Sequence, residues 1–250
     1  MSILDAGTVL SEFAHGIATI RFGHPKGNSL PGALLGQLAG AITAAGQDAG
    51  TRVIVLRSEG SGPFCAGASF DELKAVKDAA AGQKFFSGFA QVILAMIRAP
   101  KFVVTRVQGK TAGGGVGLVA ASDYCIAVSS APLKLSELAI GIGPFVVGPV
   151  IERKVGLAAF SALAVDAEWR SAAWAHQHGL YAEVVDDGHA LDERVTAFAV
   201  RQAGYHPEAA RRLKELFWQG TEHWPELLEA RAAISGALVL SDFTRTAIGG

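Results

Sequence analysis

The densest chemical signal in the chain runs from Val107 to Leu118: Val-Gln-Gly-Lys-Thr-Ala-Gly-Gly-Gly-Val-Gly-Leu. A β-branched, apolar run (Phe102, Val103, Val104) precedes it and an Ala-rich apolar run follows, the pattern of strand, glycine turn and buried helix. Gly113, Gly114 and Gly115 let a ligand lie directly against the backbone. The first N–H groups of the helix have no partner inside it, and the helix dipole adds partial positive charge there. Such a turn suits an anion, or an oxygen that becomes one during a reaction. A second candidate is Glu137, in a segment (Leu135 to Val150) punctuated by Gly and Pro. Apolar surroundings would raise its pKa toward the range useful for proton transfer. On the residues alone, a solvent-facing loop glutamate is the competing reading.

Familiar glycine motifs fit poorly. A P-loop needs glycine five residues before Gly109, where the chain has Val104. Gly115, Gly117 and Ala120 match the spacing of a dinucleotide fingerprint, with Glu137 about 20 residues on. The strand beginning at Tyr124 comes too soon for a full crossover helix. A nucleophile elbow fails because Asp71 stands where Gly is needed after Ser69. His176 and His178 sit two apart on a predicted helix and face different ways, a poor metal pair. Cys65 and Cys125 read as packing residues.

The elements that must position these groups alternate. Strands are predicted at Ile17 to Phe22, Val53 to Leu56, from Phe102, at Tyr124 to Val128 and at Tyr181 to Val185. Helices are predicted over Leu30 to Ala45, most of Asp71 to Ile97, Ile151 to Val165 and Ala172 to His178. From Leu191 the pattern is helical only: Glu193 to Ala203, Pro207 to Trp218 and Pro225 to Val239. The expectation is an α/β core over residues 1–190 with a helical region over residues 191–250. Half of the 250 residues are hydrophobic and 18% are charged, so a substantial core is available. A net charge of −1 with interspersed signs argues against a nucleic-acid surface. Two cysteines fit a reducing compartment. The opening residues show no basic-then-apolar leader, and the longest uncharged apolar stretch is too short to span a bilayer. A soluble, cytoplasmic protein without membrane or nucleic-acid partners is expected.

Four segments in register resemble the crotonase (enoyl-CoA hydratase/isomerase) superfamily. Ile20-Arg21-Phe22, His24-Pro25-Lys26 and Asn28-Ser29-Leu30 resemble its first strand and turn. Phe64 to Leu73 resembles the first signature, Gly109 to Leu118 the second, and Leu135-Ser136-Glu137-Leu138 with Gly141 and Pro144 the catalytic segment. The resemblance implies a core of repeated ββα units and a C-terminal helical region for trimer contacts, as a homotrimer or hexamer. It implies an acyl-CoA thioester substrate and no separate cofactor or metal, coenzyme A being part of the substrate. Carried over by position, the N–H groups of Ala68 and Gly114 form an oxyanion hole for a thioester enolate, and Glu137 is the acid/base. Ala66, Gly67, Ser69, Gly113 and Gly117 would surround the thioester. Phe145 and Phe85 are candidate acyl-pocket linings, and Lys26 or Lys214 would meet CoA phosphates.

The chain departs from the family pattern at three positions. Hydratases of the family carry a second glutamate where this chain has Gly117. Ser69 stands in place of a usual Asp. Phe145 stands where the dehalogenase branch has its nucleophilic Asp, so dehalogenation is not expected. One carboxylate suffices to move a proton between carbons, so double-bond isomerisation or hydration/dehydration of an enoyl-CoA is the leading expectation. A carbon–carbon hydrolase or decarboxylase, and a non-catalytic acyl-CoA-binding protein, are the alternatives.

Overall fold

The computed structural model describes residues 7–249; residues 1–6, part of the segment read above for a leader, lie outside it. Along the chain the elements are β1 (Thr8–Ala14), β2 (Ile17–Gly23), α1 (Gly32–Gln47), β3 (Val53–Ser58), α2 (Phe70–Ala75), α3 (Ala79–Arg98), β4 (Phe102–Val107), β5 (Thr111–Ala112), α4 (Gly114–Ala121), β6 (Tyr124–Val128) and β7 (Leu133–Lys134). A 3₁₀ turn (Leu138–Ile140) precedes α5 (Gly148–Asp166), α6 (Ala172–Gln177), β8 (Glu183–Val185), α7 (Gly188–Ala203), α8 (Pro207–Phe217), α9 (Trp224–Leu238) and α10 (Asp242–Gly249).

One sheet has the order β1-β2-β3-β4-β6-β8. β1 is antiparallel to β2, joined through His15 and Gly16, both at positive φ, which is the hairpin geometry that follows strand twist. Every other neighbour in this sheet is parallel. Val53, Ile54, Val55 and Leu56 are all buried, so β3 is covered on both faces, as a wholly apolar strand must be. α1 lies against β1, β2 and β3, and α7 against β2, β3, β4 and β6. β1 is missing from the sequence expectation because it is a mostly exposed edge strand with no apolar alternation.

A second, small sheet explains the repeat. β5 pairs parallel with β7, and isolated bridges extend the ladder: Leu30 with Ala68, Cys65 with Thr111, Leu133 with Arg170. Each repeat therefore lays a long strand in the large sheet and a short extended piece in the small one. In the first three repeats a helix follows; after β6 and β7 the 3₁₀ turn takes its place. This is the expected ββα organisation. The short pieces are too brief to show a period in sequence.

The predicted helix from Asp71 to Ile97 is two helices. Asp78 starts α3 by accepting a hydrogen bond from Ala81 N at 2.8 Å, which ends the run at Val76. α3 is the one described helix long and apolar enough to cross a membrane, but it is packed between α1 and α9. At the α3–α9 crossing a Cβ on Gly82 would sit 2.7 Å from Gly236 Cα, and one on Gly236 would sit 2.4 Å from Gln83 N. The two backbones touch, and only glycine permits it. α8 is pinned by buried Lys214, whose ammonium donates to Met96 O, Lys101 O and the Asp123 carboxylate. α10 returns over α2 and the 3₁₀ turn.

Candidate active site

Three successive repeats each deliver one element of the site immediately after a short strand piece. Ala68 lies three residues beyond Cys65, Gly114 three beyond Thr111, and Glu137 four beyond Leu133, and these three anchors are neighbours in the small sheet. The ladder thus brings together groups far apart in sequence. Gly67 C=O accepts Leu30 N at 2.8 Å, Ala112 N donates to Cys65 O at 2.8 Å, and Gly113 N donates to Lys134 O at 2.9 Å.

These bonds leave two N–H groups over. Ala68 N and Gly114 N donate to no backbone carbonyl among the described residues. Gly114 is the first residue of α4, where orphan donors are expected and the dipole is positive. Gly113, at φ 52° and ψ −121°, holds a conformation that costs a side-chain-bearing residue a good deal. Gly114 is glycine for a different reason: a Cβ there would fall 2.0 Å from Phe89 Cε1.

Glu137 faces this corner. A Cβ on Gly113 would lie 3.3 Å from Glu137 Oε1, so the carboxyl rests against the glycine turn. Its backbone is fixed, its C=O accepting Ile140 N at 3.3 Å and Ile142 N at 3.0 Å. Its Oε2 is buried with no hydrogen-bond partner among the described residues. Burial pushes the carboxyl up to about 7, against the opposing pull of hydrogen bonds from the N–H groups of Glu137 and Ser136. A buried carboxyl oxygen without a partner is costly, and such groups concentrate where a ligand completes them.

Ala66, Gly67, Ala68, Gly113, Gly114, Glu137 and Phe145 all line one cavity, of about 590 Å³ counted to its open mouth. Its other walls are apolar, from Phe70 and Leu73 on α2, Phe86 and Phe89 on α3, and the segment from Ile140 to Val147. Glu137 is its sole carboxylate among the described residues. Other expected site residues lie elsewhere. Ser69 is buried and caps α2, accepting from Glu72 N at 3.4 Å. Gly117 is buried one turn into α4, where a Cβ would meet Val147 Cγ1 at 2.6 Å; the place of a second carboxylate is filled by the Val147 side chain. Lys26 is exposed and paired with Asp71, outside the cavity. Lys214 cannot meet a phosphate, being 2% exposed and held by Asp123. Phe85 lines a separate surface groove beside Lys84 and Gln91, and its neighbour Phe86 takes the expected place. Cys65 is buried, with its thiol pushed up to about 12 by desolvation, which suits packing and not nucleophilic attack. The described residues contain no cluster of potential metal ligands.

One polar lining position carries no local signal in the sequence. Ser235 comes from α9, about 100 residues after Glu137, and reaches the cavity because α9 lies along α3. Ser136 lines it beside Glu137. Arg231, one turn before Ser235, donates to Phe145 O at 3.4 Å and ties the apolar wall to α9.

A profile of the family described as enoyl-CoA hydratase/isomerase matches residues 12–242. The mitochondrial methylglutaconyl-CoA hydratase of Rattus norvegicus is 31% identical over 218 residues, 85% of this chain and 69% of that protein. A (7aS)-7a-methyl-1,5-dioxo-2,3,5,6,7,7a-hexahydro-1H-indene-carboxyl-CoA hydrolase of Mycobacterium tuberculosis is 33% identical over 126 residues, 50% of this chain; the match spans about half of the hydrolase, 51%. The crystal structure of an enoyl-CoA hydratase from Bacillus halodurans superposes with a TM-score of 0.89 over 96% of this chain and 98% of that one, at 21% identity, a likeness of fold. The profile match over most of the chain, together with the ββα spiral, makes this protein a member of the enoyl-CoA hydratase/isomerase family.

Proposed function

We propose that the protein moves a proton between carbons of an enoyl thioester of coenzyme A, shifting its double bond through an enolate. The observation that carries this reading is the cavity's single carboxyl, that of Glu137, its Oε2 without a partner, facing two free N–H groups, with Val147 where a second carboxylate would have to stand. The thioester oxygen accepts hydrogen bonds from Ala68 N and Gly114 N. As the proton leaves carbon, negative charge grows on that oxygen, where fixed donors count most; losing one such donor costs on the order of 3 kcal/mol. Glu137, with its pKa near 7, is present in both forms at neutrality. It takes the proton from one carbon as carboxylate and returns it to another as the acid. Addition of water asks for a second group to hold the nucleophile, and the apolar wall of Ile142, Phe145, Val146 and Val147 supplies none.

A second reading, carbon–carbon bond hydrolysis, draws on the likeness to the hydrolase over half of the chain. It uses the same enolate but requires water at a ring carbonyl. The experiment that separates the two is turnover of 2-enoyl-, 3-enoyl-, 3-hydroxyacyl- and cyclic β-diketo-CoA thioesters with product masses recorded. Isomerisation leaves the mass unchanged and moves the absorbance of the conjugated enoyl group. A gain of 18 mass units on an enoyl substrate overturns the proton-shift reading in favour of hydration. The same gain confined to the cyclic diketone favours the hydrolase.

A further inference from the structure

Of the buried hydroxyls that bond to no other described residue, Thr105 and Ser235, only Ser235 lines the cavity. Thr43, Ser122, Ser161 and Thr221 all donate to a backbone carbonyl three or four residues back, the usual way a buried or helical hydroxyl is satisfied. Ser235 is in the middle of α9, is only 1% exposed, and engages its hydroxyl with no other described residue. It lines the cavity that holds Glu137. Its position is rigid. The next residue, Gly236, is pressed against the backbone of Gly82 and Gln83, and Arg231 one turn earlier is bonded to the Phe145 carbonyl.

The surroundings sharpen the consequence. Apart from Glu137 and Ser136, which share one segment, and the backbone of the glycine turns, the lining is hydrocarbon. No lysine, arginine or histidine lines it among the described residues. An acyl chain filling this space surrounds the Ser235 hydroxyl and keeps water from it. A plain hydrocarbon leaves the hydroxyl unpaired, and a buried unpaired polar group is penalised more than a made bond is rewarded. A neutral oxygen on the chain pairs with it. A second carboxylate is disfavoured, because the space already holds Glu137 and offers no cation.

We propose that Ser235 is a specificity-determining residue, selecting acyl groups that carry a neutral hydrogen-bonding oxygen, a ketone or hydroxyl, over plain hydrocarbon or dicarboxylic chains. The inference rests on the acyl-CoA reading of the site given above. Its test is equilibrium binding by titration calorimetry of hexanoyl-CoA, its 4-oxo and 5-oxo analogues, and the hexanedioyl thioester. The proteins compared are the full chain, Ser235→Ala and Ser235→Thr, each checked by thermal melting. The full chain is expected to bind at least one oxo analogue about tenfold more tightly than hexanoyl-CoA, the scale of one well-placed hydrogen bond in a dry site. Ser235→Ala should lose that preference and bind hexanoyl-CoA no more weakly; Ser235→Thr should keep the preference. Hexanedioyl-CoA should bind more weakly than the oxo analogue. An equal preference in Ser235→Ala, or none in the full chain, overturns the role of Ser235 and leaves the acyl-CoA reading intact. Failure of every CoA thioester to bind overturns both.

Discussion

The fold encloses the carboxylates of Asp123 and Glu137 and treats them in opposite ways. Asp123, between α4 and β6, accepts Lys214 Nζ at 2.8 Å, Trp218 Nε1 at 3.2 Å and Val103 N at 2.7 Å. The lysine facing it also donates to Met96 O and Lys101 O, so both partners of the ion pair are hydrogen-bonded beyond it. Glu137 has an Oε2 with no partner, and its pKa is raised to about 7. The first arrangement fixes α8 against the sheet and spends its bonding capacity within the fold. The second leaves capacity open in a cavity, at a cost to stability. The difference separates a charge that holds the structure from one that is free to react.

The sharpest way to break this comparison is to neutralise each carboxylate. Glu137→Gln should lower turnover about 10²–10⁴-fold, the usual share of an acid/base group, with the far-ultraviolet circular dichroism unchanged. Asp123→Ala should do the reverse: it strands Lys214 and costs about 3–5 kcal/mol in urea unfolding, with kcat per folded molecule close to that of the parent. A large kcat loss in folded Asp123→Ala would erase the distinction. Next in size, Gly117→Glu places a side chain against Val147 and should cost about 1–3 kcal/mol without conferring hydration, as overpacking does. Water addition by that variant would show that the Val147 wall is not what excludes it.

The smallest effect carries a sign. The folded-state pKa of Glu137 lies above its ordinary value of 4.5, so between about 4.5 and about 7 the folded chain binds more protons than the unfolded one. Stability from this group is therefore greatest at low pH and is lost as pH rises through that window. Glu137→Gln should raise Tm relative to the parent at pH 8, and much less at pH 5. A Tm increase equal at both pH values would mean that Glu137 is not a buried, raised acid.

Much of this was legible in sequence, for identifiable reasons. The buried strand Val53 to Leu56 and the glycine turn announce themselves by composition, and the strand–helix alternation gives the α/β class. The pairing of Ala68, Gly114 and Glu137 was legible only through the four motif resemblances, since the ladder that joins them consists of two-residue strands and single bridges. β1 was hidden because an exposed edge strand has no core face to mark. Phe85 and Phe86 are adjacent on α3, and composition cannot tell which one faces the cavity; the rotation of the helix decides for Phe86. Lys214 reads as a surface charge until Asp123, 91 residues earlier, is brought beneath it. Ser235 depends on the contact of Gly82 with Gly236, which is wholly a matter of tertiary packing.

In the proposed chemistry Glu137 removes a proton from carbon while Ala68 and Gly114 hold the resulting oxyanion. The most direct measurement is deuterium entry from heavy water into the acyl group of a CoA thioester, followed by mass spectrometry, for the parent chain and Glu137→Gln. It reads the proton transfer itself, whichever product is finally released. Time-dependent deuteration is expected with the parent and none above background with the variant. Undiminished exchange in Glu137→Gln, or no exchange in the parent with a thioester that binds, would contradict this chemistry.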